Sequence, residues 1–420
     1  MQAAHSLADH LQNAARSHPD APALIAGGQH WSFAELLADS AALAATLAAG
    51  PRPLRLAGSS LELARHAWAC ALKNRPFWPV DRKHSSPVPN VAPDIALIIS
   101  TSGSEGQPRA VCLSRANLEA AAAAANRRLP LHPGDRWLAC LPLYHIGGQA
   151  ILWRCTRAAA SVLLHEGFDT TAIANDLAAH PVSHLSLVPA MLARLLDAGI
   201  RPPASLRHVL VGGAALSLPL YERASAAGWP LHPSYGMSET AAQIATWTPA
   251  DGPWHEGLVG RPLDGNDIAI AADGRIRIRG PQVMAGYLDG GAPDADGWLP
   301  TGDLGRLDTA GRLTVLGRAD DMLISGGRNV HPLEVESCLA ACPGVADVAV
   351  TGLPDTVWGD LIVALVAGEA SDATLNGWVV ERLPSAARPR RFVRLAQLPR
   401  NATGKLERGV LRRLAAEAGA

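Results

Sequence analysis

At 420 residues the chain exceeds one ordinary domain, and two or three are expected. Hydrophobic residues make up 48% of it, enough for a sizeable core. Charged residues at 18% and a formal net charge of −1 give no electrostatic reason for a nucleic-acid or anionic-membrane partner.

In chain order, Leu7, Leu11 and Ala14 have helical spacing within Ser6–Ala15. Asp9 and His10 stand where a signal peptide needs an apolar core, and no run approaches the length of a membrane span, so a cytoplasmic protein is expected. Ser32 and Glu35 form a capping-box pattern, and Gly50 stops the helix that follows. Runs at 54–57, 77–80, 95–99, 137–141, 161–164, 184–188 and 208–211 read as strands. Helices fall between several of them, at 61–72 and from a Ser114 cap to Arg128 among others. Such alternation predicts an α/β fold with a mostly parallel sheet covered by helices. After Thr248 the texture changes. Asp267 to Arg279 and Thr301 to Gly317 alternate with glycine punctuation and predict a distorted β region. From Asp320 onward a small α+β unit is expected, with a helix at 332–341, strands at 345–351 and 361–367, and a last helix after Leu406. The expected domains are 1–318 and 319–420. Cys70, Cys112, Cys140, Cys155, Cys338 and Cys342 contain no CxxC pair and read as reduced, mostly buried residues.

The chemistry concentrates in five stretches. The first, Thr101-Ser102-Gly103-Ser104-Glu105-Gly106-Gln107-Pro108-Arg109, leaves an apolar run and enters another. Glycines let successive N–H groups point at one anion, and hydroxyls add donors, so the loop has the parts of a polyphosphate clamp. It lacks the Gly-Lys-Ser/Thr ending of a P-loop. The others are Pro142-Leu143-Tyr144-His145, then Ser234-Tyr235-Gly236-Met237-Ser238-Glu239-Thr240, then Thr301-Gly302-Asp303 with Arg318, Asp320 and Gly326-Gly327, and last Thr403-Gly404-Lys405.

In this order the set resembles the adenylate-forming superfamily of acyl-CoA synthetases, peptide-synthetase adenylation domains and luciferase, over nearly the whole chain. Leu141 to His145 with Gln149, Leu187-Val188-Pro189 and Gly212-Gly213-Ala214-Ala215 resemble the 2-succinylbenzoate–CoA ligases of menaquinone synthesis. The resemblance implies a large N-terminal domain and a small mobile C-terminal one. It also implies ATP, Mg2+ and coenzyme A as cofactors, a small aryl or dicarboxylic acid as substrate, and two half-reactions through an acyl-adenylate.

Residue by residue, it assigns Lys405 to the carboxylate and the α-phosphate, and Glu239 to Mg2+. Thr240 is assigned to the α-phosphate, and Asp303 and Arg318 to the ribose. Tyr235 stacks on adenine, with Ser234 and Gly236 beside it in the nucleotide stretch. Gly212, Gly213 and Ala214 line the adenine and acyl pocket. Thr101, Ser102, Gly103, Ser104, Gly106 and Arg109 hold the polyphosphate. Asp320 is the hinge, Gly326 and Gly327 form the thiol passage, and His145 stands at the acyl pocket. Arg154 and Arg194 are available cations for a second carboxylate.

Three departures from the family pattern stand out. Glu105 replaces a threonine and Arg109 a lysine, the stretch between Val80 and the glycine loop is short, and Gly274-Arg275-Ile276 replaces Gly-Glu-Leu. Two rival readings remain: an enzyme that loads an acyl carrier protein, and a non-catalytic nucleotide-binding homologue, since fold alone does not imply activity.

Overall fold

The structure, a computed structural model, describes residues 5–82, 87–101, 109–400 and 406–418. Its helices begin where short polar side chains can satisfy the first free N–H groups. Ser6 with Asp9, Ser32 with Glu35, and Ser114 with Asn117 each form a reciprocal cap. The helix capped by Ser114 runs Arg115–Arg128, as its sequence predicts.

The largest sheet described has thirteen strands. Six form its parallel block: Leu231–Met237, His208–Val211, His184–Leu187, Arg136–Ala139, Ser161–Leu164 and Pro22–Ala26. Two of these strands, Ser161–Leu164 and His184–Leu187, are buried at every residue, which is why such strands read as continuous apolar runs instead of alternating ones. The Gly-punctuated β region continues the same sheet: Leu231–Met237 pairs antiparallel with Ala242–Thr246, and the order runs on to Asp267–Ile270. Parallel pairing therefore covers about half of this sheet. A five-stranded sheet holds the glycine-loop hairpin, Ile95–Ser100 against Ala110–Ser114, with Gly286–Tyr287 on its outer edge.

The third sheet, with strands Leu323–Ser325, Arg328–Val330, Val345–Asp355, Gly359–Gly368 and Arg391–Arg394, lies wholly after residue 322. Its apolar clusters draw on residues from 323 onward, and the two largest clusters elsewhere use none beyond 315. Strand Leu313–Arg318 ends where the connector 319–322 to strand Leu323–Ser325 begins. Helix Pro332–Ala340 leans back on the larger unit, with Ser337 Oγ donating to Glu256 Oε1 at 2.5 Å.

All six cysteines are unpaired, and five are buried. Burial pushes the Cys70 and Cys140 thiols up to about 12. Among the described residues no helix is long and apolar enough to cross a membrane, and no group of three His, Cys, Asp or Glu side chains could hold a metal.

Candidate functional site

The site is built at the C-terminal ends of the parallel strands, where an α/β sheet leaves a crevice. Strand His208–Val211 ends in Gly212 and Gly213. A Cβ at Gly212 would lie 2.8 Å from Ser234 Oγ, and Ser234 itself donates to the Val211 carbonyl at 3.0 Å. Gly213 has φ +79°, a left-handed conformation that glycine adopts at no cost. Together they bring the 212–214 loop against the strand that carries Ser234, Tyr235 and Gly236. At Gly236 a Cβ would run into the Ala242 carbonyl, next to the register shift between Tyr235 and Gly236. Gly236→Ala should destabilise the larger unit by about 1–3 kcal/mol, seen as a lowered melting temperature by calorimetry.

Two tyrosines fix two carboxylates at this stretch, Asp303 beside it and Glu239 on it. Tyr235 donates its hydroxyl to Asp303 Oδ2 at 2.7 Å. Burial first, and the Asp303 carboxylate second, push the Tyr235 phenol well up, so it stays a donor. Asp303 sits opposite Arg318 in the strand pair, with Arg318 Nη1 at 3.6 Å from Asp303 Oδ1. The guanidinium lies over Gly302, where a Cβ would be 2.5 Å from Nη2, and that Nη2 donates to Asp320 Oδ2 at 3.1 Å. Arg318 thus joins the expected ribose carboxylate to the expected hinge aspartate.

At the other end, Glu239 lies on the short 3-10 turn Ser238–Thr240 and accepts from the Tyr287 hydroxyl at 2.9 Å. The turn is held from below: Met284 N donates to the Glu239 carbonyl at 2.8 Å, and buried Gln282 donates to the Thr240 and Gln243 carbonyls at 3.2 and 3.0 Å. Tyr287, Gln282 and Met284 escaped the sequence reading. The available signal was a tyrosine after a glycine, in a chain with only four tyrosines.

Some assignments fare differently. Thr240 is fully buried, and its hydroxyl is engaged within the turn by Met237 N at 3.1 Å and the Ala242 carbonyl at 2.8 Å. Its hydroxyl therefore locks the turn and is not presented to a phosphate. Gly326 and Gly327 have positive φ in a hairpin turn, and Gly326 N donates to Trp358 O at 2.9 Å within the smaller unit. The near neighbours of Gly326, Trp358 and Ala386, belong to that unit and not to the crevice.

His145 is the N-cap residue of helix Ile146–Ala158, its ring 4.7 Å from that of Tyr144. The loop before it is clamped by Gln149, which donates to the Leu143 carbonyl at 2.6 Å. It is also clamped by Gly148, where a Cβ would be 2.5 Å from the Pro142 carbonyl. Arg154 is buried, its guanidinium 5.5 Å from the Trp137 ring centre, and burial lowers it to about 10. Arg194 is exposed and lies over Phe168. Both lie against aromatic rings, and among the described residues the buried Nε and Nη2 of Arg154 have no hydrogen-bond partner.

At the base of the glycine loop, Thr101 N and Oγ1 both donate to the Arg109 carbonyl, at 2.8 and 3.2 Å. Ser102, Gly103, Ser104, Glu105 and Gly106 lie outside the described residues, as do Thr403, Gly404 and Lys405.

Residues 55–288 match the family described as AMP-binding enzyme, and residues 334–405 match the AMP-binding enzyme C-terminal domain. The chain belongs to the AMP-binding enzyme family. This AMP-binding enzyme is 38% identical over 332 residues to the 2-succinylbenzoate–CoA ligase of Bacillus subtilis (strain 168), covering 76% of the chain and 68% of that relative. It is 37% identical over 336 residues to the ligase of the same name from Bacillus velezensis, covering 76% and 69%. Its fold is similar to that of o-succinylbenzoate CoA synthetase (MenE) from B. subtilis bound to the acyl-adenylate intermediate OSB-AMP. The TM-score is 0.86 at 31% identity, over 96% of this chain and 97% of that one. It is likewise similar to the same synthetase with ATP and magnesium ion, with a TM-score of 0.84 at 31% identity over 95% and 98%.

Proposed function

We propose that the protein is an AMP-forming acid–CoA ligase, with 2-succinylbenzoate as its acid. The observation that carries this reading is the stretch 234–240, whose Tyr235 hydroxyl donates to Asp303 and whose Glu239 carboxylate accepts from the Tyr287 hydroxyl. The likeness to the two Bacillus ligases supplies the acid and the thiol.

In the first half-reaction an oxygen of the substrate carboxylate attacks the α-phosphorus of ATP. A new O–P bond forms, the bond to the β-phosphate oxygen breaks, and pyrophosphate leaves. Both reactants are anions, so a cation must stand between them, and this is the role we assign to Lys405. Asp303 accepts hydrogen bonds from the ribose hydroxyls, held in place by Tyr235 and Arg318. The Glu239 carboxylate fits Mg2+: Oε1 is fixed by Tyr287, while among the described residues Oε2 accepts no hydrogen bond. A hard divalent cation is commonly held by one or two carboxylates together with substrate phosphates. When bound, Mg2+ supplies charge neutralisation on the triphosphate.

In the second half-reaction the sulfur of coenzyme A attacks the acyl carbon of the adenylate. The thioester forms, AMP departs, and the thiol proton is lost to solvent. We assign Asp320 as the pivot about which residues 319–420 turn between the two steps, with Gly326 and Gly327 then lining the thiol passage and His145 gating the acyl pocket.

The reading is tested by supplying ATP, Mg2+, 2-succinylbenzoate and coenzyme A and measuring AMP and the thioester by mass spectrometry. Thioester formed only on a phosphopantetheinyl protein transfers the reading to a carrier-protein loader. No AMP with any acid in a broad panel leaves a nucleotide-binding homologue. Tyr235→Phe strips Asp303 of its tyrosine donor, so the KM for ATP should rise about fivefold while kcat changes little, as read from steady-state kinetics.

A further inference from the structure

We infer that Tyr287 is a positioning residue for the metal-binding carboxylate, and that Arg109 and Asp289 are the brace that holds its ring. The inference rests on the assignment of Glu239 to Mg2+. A glutamate at the end of a short turn has free side-chain rotations, and an uncontrolled carboxylate presents either oxygen to a cation. Here Tyr287 donates to Oε1 at 2.9 Å and selects which oxygen remains.

The ring has its own support. Gly286 and Tyr287 pair with Cys112 and Val111 on the strand that leaves the glycine loop. The Arg109 guanidinium carbon lies 3.5 Å from the centre of the Tyr287 ring, close enough for a cation–π contact. Arg109 then forks onto Asp289, with Nε and Nη2 at 3.2 and 2.9 Å from the two carboxylate oxygens, and Nη2 also donates to the Gly290 carbonyl at 2.6 Å. At Gly291, where φ is +94°, a Cβ would approach Nη2 to 3.4 Å, so a glycine leaves the fork its room.

This gives a physical account of one departure from the family loop. A planar guanidinium can stack on the phenol and grip a carboxylate bidentately at once. An ammonium on a flexible stem can make either contact but not both with that geometry. Arginine at position 109 therefore matches Tyr287 and Asp289. The base of the phosphate loop and the metal carboxylate become one connected unit: loop, Arg109, Tyr287, Glu239.

The test is calorimetric titration of the full chain with ATP, in excess Mg2+ and again in excess EDTA. A phenol donating to a carboxylate is a strong hydrogen bond, so Tyr287→Phe should lose about tenfold in affinity with Mg2+ and nothing with EDTA. Its melting temperature should stay near that of the parent. Arg109→Lys and Asp289→Asn should lose affinity in the same Mg2+-dependent sense but by less, about threefold. The positioning inference is overturned if Tyr287→Phe binds ATP as the parent does under both conditions, or loses affinity equally in both. Glu239→Gln separates this failure from that of the underlying assignment. If it retains the whole Mg2+ effect, Glu239 is not the metal ligand and both fall. If it loses the effect while Tyr287→Phe does not, only the positioning role falls.

Discussion

Replacing Lys405 by alanine is expected to abolish acid-dependent exchange of pyrophosphate into ATP. The effect should be at least about 10²–10³-fold in rate, the scale on which single charge-stabilising groups act at a reacting centre. The requirement is electrostatic. The carboxylate and the α-phosphate repel each other, and the carboxylates that line the crevice, Asp303 and Glu239, add no positive charge where they meet. Arg318 is turned to Asp303 and Asp320, and Arg109 to Asp289, so these two cations are committed elsewhere. The described residues on either side of Lys405 in sequence are held by ion pairs and a bridge. Arg400 grips Asp347 with Nη2 at 2.9 Å from each oxygen, Arg408 Nη1 meets Glu336 at 2.6 Å, and Arg400 bridges to Leu406. Lys405 belongs to residues 319–420 and would travel with that unit in the proposed turn. Binding of ATP to Lys405→Ala should survive, because Tyr235, Asp303 and Arg318 are untouched. Exchange near the parent rate would remove Lys405 from the chemistry.

Asp320→Pro should split the two half-reactions. Within the connector 319–322, Ala319 N donates to the Gly302 carbonyl at 2.8 Å and Met322 N to the Ala319 carbonyl at 3.3 Å. A proline at 320 fixes φ there and restricts residue 319 as well, so a rotation about this point is lost. Acyl-adenylate formation, measured as exchange, should remain within a few-fold of the parent. Thioester formation, measured on preformed adenylate with coenzyme A, should fall by about 10²-fold or more if turning is obligatory. Equal loss of both activities would mean that Asp320 is not the pivot. Ser337 and Glu256, in contact between the two units, mark one orientation from which such a turn departs.

What the sequence disclosed, and what it hid, follows from the range of the interactions. The Ser114 cap and the strand at 208–211 are local: a short polar residue before a helix, an apolar run between turn residues. Both were readable from a few neighbours. The stretch 234–240 was also readable, because its glycine, hydroxyls and carboxylate lie side by side in the chain. The support of that stretch was not. Tyr287 reaches Glu239 across 48 residues, and Arg109 reaches Asp289 across 180. Neither pair leaves a local pattern, since each is created by strands that pair only in the folded sheets. Thr240 shows a second contrast between neighbours in sequence and contacts in space. Its place beside Glu239 suggested a phosphate contact, but a hydroxyl at the end of a tight turn is claimed first by the backbone groups of that turn. Arg154 reads as an available cation in one dimension, and in three it is buried beside Trp137.

The proposed reaction activates a carboxylate by joining it to AMP before any thiol is involved. The direct measurement is exchange of radiolabelled pyrophosphate into ATP with 2-succinylbenzoate present and coenzyme A absent. The account predicts exchange that depends on the acid and on Mg2+ and disappears in Lys405→Ala. Acid-independent exchange, or none with 2-succinylbenzoate while coenzyme A is still consumed, would contradict it.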